Sequence, residues 1–276
     1  MVTQVVPSGI SGRNRRLLAT LHRSVSGPFS VQEAATALTL SIPRTHRLLA
    51  YLADRGWLLR LRRGLYSLVP LEVVHAREWV EDPWVVASKL YGASSYIGGW
   101  SACEHWNLTE QLFRDTVVIT TRQIRSALDE VQGFTFRVKR TKSDRIFGIR
   151  SVWRGRTRVN VSDPSRTVAD IVSDPSLGGG IRHVTDILET YFEGEYLNED
   201  LLASYVERLG NRTAFKRLGY LAEMIDVGSP AFLQRCRDGM SSGISLLDPG
   251  LPARGRYLRR WNLRVNANVS LERHFS

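Results

Sequence analysis

Residues 40–58 read Leu40-Ser-Ile-Pro-Arg-Thr-His-Arg-Leu-Leu-Ala-Tyr-Leu-Ala-Asp-Arg-Gly-Trp-Leu58, and this stretch decides how the first quarter of the chain folds. Ser41 stands where a helix N-cap belongs. Pro43 suits the first turn, where its missing N–H has no intrahelical partner. Gly56 follows Arg55 as the residue that commonly closes a helix. Between these signals Thr45, Leu48, Leu49 and Leu52 recur at i, i+3, i+4 and i+7 and make one largely apolar face. Pro43, Arg47, Ala50 and Asp54 lie opposite, with Arg44 and His46 on the flanks.

The flanking sequence supplies the rest of a small domain. Upstream, Leu17, Leu18 and Leu21 line one side of a first helix around Arg15–Leu21, and Gly27-Pro28 breaks the chain. Ser30 with Glu33 has the capping-box spacing and opens a second helix over Val31–Leu38. Downstream, Trp57–Leu61 and Gly64–Val69 are β-prone, with Arg62-Arg63-Gly64 as the basic tip of a tight hairpin. Three helices and a two-stranded hairpin make a winged helix-turn-helix over residues 1–70. Its third helix is expected in a major groove and its wing at a phosphate or an adjacent minor groove. The candidate DNA-binding residues are therefore Arg44, His46 and Arg47 on the helix, with Arg62 and Arg63 on the wing. Tyr51 and Trp57 read as packing residues, and the lone His46 does not read as a metal ligand.

Charge singles out the same segment. The 276 residues carry 38 Lys+Arg against 27 Asp+Glu, a net charge of +11, with a pI of about 10.2. Residues 1–70 hold ten Arg and two acids, +8 of that total, and the other 206 residues carry only +3. Arginine suits bidentate contact with phosphate and guanine. Winged helices also serve as protein–protein modules, but this excess favours double-stranded DNA as the partner.

Composition narrows the remaining classes. At 43% hydrophobic and 24% charged residues, with a mean hydropathy of −0.19, the chain has material for a sizeable core without disulfides or metals. No apolar run reaches the length of a membrane span, and Met1–Gly9 lacks the pattern of a signal peptide. Cys103 and Cys236 are far apart and in no ligand spacing, which suggests a reducing cytoplasm and no zinc site. The expectation is a cytoplasmic protein without membrane association.

After Pro70 the composition changes, and a boundary near residues 71–82 divides the chain into a 1–70 DNA-binding domain and a 71–276 domain. Helices at Trp84–Leu90 and before Trp106 precede strands at Thr116–Thr121, Phe134–Arg140, Arg145–Arg154 and Thr157–Val161. Helices then follow at Ser165–Val172, Val184–Phe192, Glu199–Leu209 and Thr213–Ile225, with a last strand at Trp261–Val265. The fold class is α+β: a winged helix-turn-helix, then a larger α+β domain with a small antiparallel sheet and a helical bundle. Walker A, G-x-G-x-x-G, H-E-x-x-H, C-x-x-C and paired D-x-D motifs are absent. Asp163, Arg166 and Asp170 read as an N-cap and an i, i+4 ion pair. Gly178-Gly179-Gly180 reads as a flexible helix–helix connection, and Cys103 as a buried thiol beside Glu104-His105. No catalytic residue, cofactor or metal site is expected, and the chain does not read as an enzyme.

Four stretches carry a family resemblance. They are Trp57-Leu-Leu-Arg-Leu-Arg-Arg-Gly-Leu-Tyr66, Tyr96-Ile-Gly-Gly-Trp-Ser-Ala-Cys-Glu-His-Trp-Asn-Leu-Thr-Glu-Gln111 with the strand Val117-Val-Ile-Thr120, Val161-Ser-Asp-Pro-Ser-Arg-Thr-Val-Ala-Asp-Ile171, and Asn211-Arg-Thr-Ala-Phe-Lys-Arg-Leu-Gly-Tyr-Leu-Ala-Glu223. In that order, across roughly residues 30–225, the chain resembles the AbiEi abortive-infection antitoxins and their relatives in mycobacterial toxin–antitoxin pairs. The resemblance implies a winged helix that binds inverted repeats in its own promoter and represses the operon. It also implies a C-terminal domain that neutralises a nucleotidyltransferase-like toxin encoded next door. The basic tail after Met240 has no counterpart in it. A stand-alone regulator whose C-terminal half senses a ligand or dimerises is the alternative. A nuclease or nucleotide-transferring enzyme with a DNA-targeting domain is the third reading, and the missing paired carboxylates speak against it.

Overall fold

Leu18 and Leu21 of the first helix, α1 (Gly12–Ser24), turn inward and begin a core that Phe29, Ala34, Leu38, Leu49, Leu52, Leu58 and Tyr66 complete. The computed structural model describes residues 9–70 and 79–269. Most of the expected boundary at 71–82, and most of the N-terminal stretch read for a signal peptide, lie outside the described residues. A short strand β1 (Phe29–Ser30) leads into α2 (Val31–Leu38), whose N-terminus is closed by a complete Ser30–Glu33 capping box. Thr39, at φ 53°, turns the chain in the left-handed region, and α3 (Ile42–Asp54) follows with Pro43 in its first turn. Strands β2 (Leu58–Arg62) and β3 (Leu65–Leu68) form the expected hairpin around Gly64, at φ 79°. The structure adds β1 to that hairpin, giving a three-stranded sheet in the order β1-β3-β2. β1 is only two residues long, too short for a periodic signal.

The elements that follow are α4 (Pro83–Tyr91), β4 (Ser95–Ile97), α5 (Gly99–His105), β5 (Thr116–Thr120), β6 (Leu128–Val131), β7 (Phe134–Arg140), β8 (Ile149–Arg154) and β9 (Thr157–Ser162). The six strands make one sheet in the order β6-β7-β5-β4-β9-β8. β4 pairs antiparallel with β5 and parallel with β9, so the sheet is larger than expected and mixed. Helices α6 (Pro164–Ser173), α7 (Ile181–Glu193), α8 (Glu199–Leu209), α9 (Arg212–Met224) and α10 (Pro230–Gly239) come next. A last small sheet has the order β10-β12-β11, from β10 (Ser245–Leu246), β11 (Arg256–Leu258) and β12 (Leu263–Val265).

The chain divides into two compact units. One comprises Met1–Ala93, Leu128–Phe136 and Ser151–Val159; the other comprises Ser94–Ala127, Arg137–Arg150 and Asn160–Ser276. In the second unit α6 is the central element, buried at every residue from Pro164 to Val172 and packed by α5, α7, α8 and α9. Residues 241–269 of the tail contribute to this core. Trp261 is fully buried, and a Cβ on Gly219 of α9 would stand 2.2 Å from its ring. Lys216 and Arg217 of α9 reach the carbonyls of Gly243 and Leu247, tying the tail to the helix. Among the described residues no helix is long and apolar enough to cross a membrane.

Candidate nucleic-acid interface

The sequence of α3 sorts its residues between core and solvent. Thr45, Leu49 and Leu52 are buried and Leu48 is half-buried against the same core, which fixes the helix on α2 and β2. That packing leaves Arg44, His46 and Arg47 exposed. The Arg47 Nε donates to the Pro43 carbonyl one turn earlier, at 3.4 Å, and this leans the guanidinium along the helix. Ser41 occupies the N-cap position without a side-chain hydrogen bond to the helix, so the first backbone N–H groups of α3 keep no cap of their own. An uncapped N-terminus flanked by two arginines is an arrangement suited to a phosphate.

The two wing arginines differ. Arg63 is exposed at the tip, followed by Gly64, around which there is open space. Arg62 makes an ion pair with Asp129 on β6. The second Asp129 oxygen accepts a hydrogen bond from the Tyr91 hydroxyl at 2.7 Å, and Gln132 Nε2 donates to the Arg60 carbonyl at 2.8 Å. Burial, then the bond to Asp129, pushes the Tyr91 hydroxyl well above its ordinary range, so it remains a donor. The wing is thus braced by the 128–136 hairpin of its own compact unit.

The helix-turn-helix is braced in the same way. Glu33 closes the capping box through Ser30 and also pairs with Lys89 of α4. Burial raises the Glu33 carboxyl, and the bonds from Lys89 and Ser30 outweigh that, holding it below the ordinary glutamate range. Asp129, Tyr91, Gln132 and Lys89 were not legible as site residues. Each lies 38 or more positions from its partner, and no local pattern connects the pairs.

The other candidates resolve as structure. Asp163 caps α6 through the Arg166 N–H and also accepts from the Tyr205 hydroxyl. Arg166, wholly buried, donates to Asp170 at 3.0 Å, to the Phe147 carbonyl at 2.9 Å and to the Tyr96 hydroxyl at 2.8 Å. Every charge in this cluster is answered by a neighbour, as an N-cap and a buried ion pair require. The three glycines form a tight joint where a flexible one was expected. Gly178 packs against Ile171 and Val184, and the Asp248 carboxylate accepts from the Ile181 N–H at 3.0 Å. The phosphate-sized position at the start of α7 is therefore filled by the protein's own carboxylate. Cys103 is fully buried, as expected, and burial raises its thiol well above the usual range.

Residues 16–69 match a family model described as transcriptional regulator, AbiEi antitoxin. This segment is similar to the AbiEi family. The AbiEi match covers α1 through the wing, the part of the chain where sequence pattern and charge point to DNA. At the level of the whole chain, the fold is similar to the crystal structure of RV2827C protein from Mycobacterium tuberculosis. The TM-score is 0.64 at 14% identity, over 95% of this chain and 94% of that one. At that identity the likeness is one of fold. No curated protein matches the chain.

Proposed function

We propose that the protein is a DNA-binding antitoxin that represses its own operon, with residues 1–70 binding inverted repeats in the promoter and residues 71–276 neutralising a nucleotidyltransferase-like toxin. The observation that carries the DNA-binding half is the exposed Arg44, His46 and Arg47 face of α3, opposite the face that Thr45, Leu49 and Leu52 bury in the core. Arg44, His46 and Arg47 read base edges or the flanking phosphates, and Arg62 and Arg63 serve the wing. In this reading the protein acts by binding, in the cytoplasm, and uses no cofactor. The antitoxin half rests on the AbiEi match of residues 16–69.

Co-expression with the neighbouring gene product tests both halves. Growth rescue with loss of promoter repression is expected from the Arg44→Ala, Arg47→Ala double variant, because these exposed positions contribute little to packing. If the full chain represses its promoter but rescues nothing, the protein is a stand-alone regulator. The antitoxin half is then wrong.

A further inference from the structure

Outside the winged helix, one hairpin carries a run of arginines with no acid among them. Residues 145–162 contain five arginines, at 145, 150, 154, 156 and 158, and no acidic residue. They include β8, which is an edge strand of the six-stranded sheet, and β9 beside it. The end of this hairpin, residues 151–159, belongs to the same compact unit as the winged helix.

Three contacts fix it there. The Arg154 guanidinium lies 4.0 Å from the Trp84 ring and 4.0 Å from the Asp82 carboxylate, and Thr157 Oγ1 donates to the Ser26 carbonyl between α1 and β1. A two-residue turn, Gly155-Arg156, sets Arg154 across from Thr157, so these two share the anchored face. Trp153 and Arg158 then share the other face. The Arg158 guanidinium sits 4.7 Å from the Trp153 ring centre. Trp153 is 63% exposed, a large ring left in water with an arginine laid over it. Arg156 and Arg158 make no ion pair with any described residue, unlike Arg154 and the wing Arg62.

An exposed aromatic ring beside arginines that pair with no described acid is complementary to a nucleic-acid backbone. We propose that the β8–β9 hairpin end is a second duplex-contacting element, with Arg156 and Arg158 on phosphates and Trp153 against the sugar–phosphate edge. It would act beside the α3 face on one DNA molecule. This inference rests on the DNA-binding reading above and extends it to residues outside the 16–69 match.

The test is titration of the full chain with its own promoter fragment and with an unrelated duplex, over a range of salt. The Arg156→Ala, Arg158→Ala double variant is expected to bind both duplexes about tenfold more weakly. Its slope of log affinity against log salt should be shallower by about 2, since each lost phosphate contact removes about 0.9. A charge-reversed pair, Arg156→Glu with Arg158→Glu, should weaken both further. Iodide quenching of Trp emission should fall on adding duplex, and Trp153→Phe should remove that difference. Unchanged affinity and slope in the double variant, while Arg44→Ala with Arg47→Ala abolishes promoter binding, would overturn the hairpin assignment and leave the main reading intact. Wild-type DNA binding with lost rescue from the toxin would also overturn it, by giving the surface to a protein. A wild-type chain that shifts neither duplex would sink both readings together.

Discussion

Asp129 is the residue whose role the structure changes most. Sequence pattern offers Arg62 and Arg63 as equivalent wing contacts. The fold gives Arg62 a carboxylate partner, held in turn by Tyr91, and leaves Arg63 free at the tip. A phosphate approaching Arg62 must compete with Asp129. Asp129→Asn removes that competitor with little change of shape, so DNA affinity should rise alike for promoter and unrelated duplexes. The salt slope should steepen by about 1, as for one added phosphate contact. A gel-shift titration at two salt concentrations reads both quantities. An affinity unchanged by Asp129→Asn would mean that Arg62 does not contact DNA. Glu33 gives a residue-scale prediction for stability. Its pKa is lowered in the folded chain, so its stabilising effect is complete above the ordinary glutamate value of about 4.3. It is lost as pH falls through the lower folded value. The Tm gap between wild type and Glu33→Gln should be open at neutral pH and close in acid. A gap that widens in acid would contradict the assigned sign.

Among the elements, most with a local signature were legible and those without one were not. The capping box at Ser30 and Glu33 set the start of α2, and the Thr45, Leu49 and Leu52 face set the orientation of α3. Asp163, Arg166 and Asp170 were equally plain as a cap and an ion pair. β4, only three residues long, joins β5 and β9 across gaps of tens of residues, and nothing in Ser95–Ile97 specifies those partners. The same holds for β10 and β11, and α10 was also missed although Ser229 and Pro230 mark its start. The tail looked like an unassigned basic segment because most of its arginines are exposed while its buried anchors, Leu247, Trp261 and Leu263, are scattered along it. Since the Trp261 ring fills the space left by Gly219, Trp261→Ala should cost about 3–5 kcal/mol, the range for truncating a buried aromatic. Denaturant unfolding measures it. A cost below about 1 kcal/mol would show that the tail is dispensable to the core.

For the molecule as a whole, the division of labour matters more than the division of the chain. The unit holding the winged helix also takes in α4 and residues 128–136 and 151–159. Removing residues 1–70 strips Lys89 of Glu33, Asp129 of Arg62, Glu81 of Ser67 and Thr157 of its Ser26 acceptor. A 71–276 fragment should therefore keep amide protection in α6–α9, whose core lies entirely within the second unit. It should lose protection in α4 and in the two hairpin ends. Hydrogen exchange on the fragment and the full chain reads this directly, and uniform protection throughout would contradict it. The central claim is that the exposed arginines of α3 bind the promoter, and salt-dependent titration of that duplex tests it most directly. With the full chain, affinity should fall steeply as salt rises, and Arg44→Ala with Arg47→Ala should abolish the preference for promoter over unrelated DNA while the fold persists. Promoter preference and salt slope that survive the double substitution in a folded chain would contradict it.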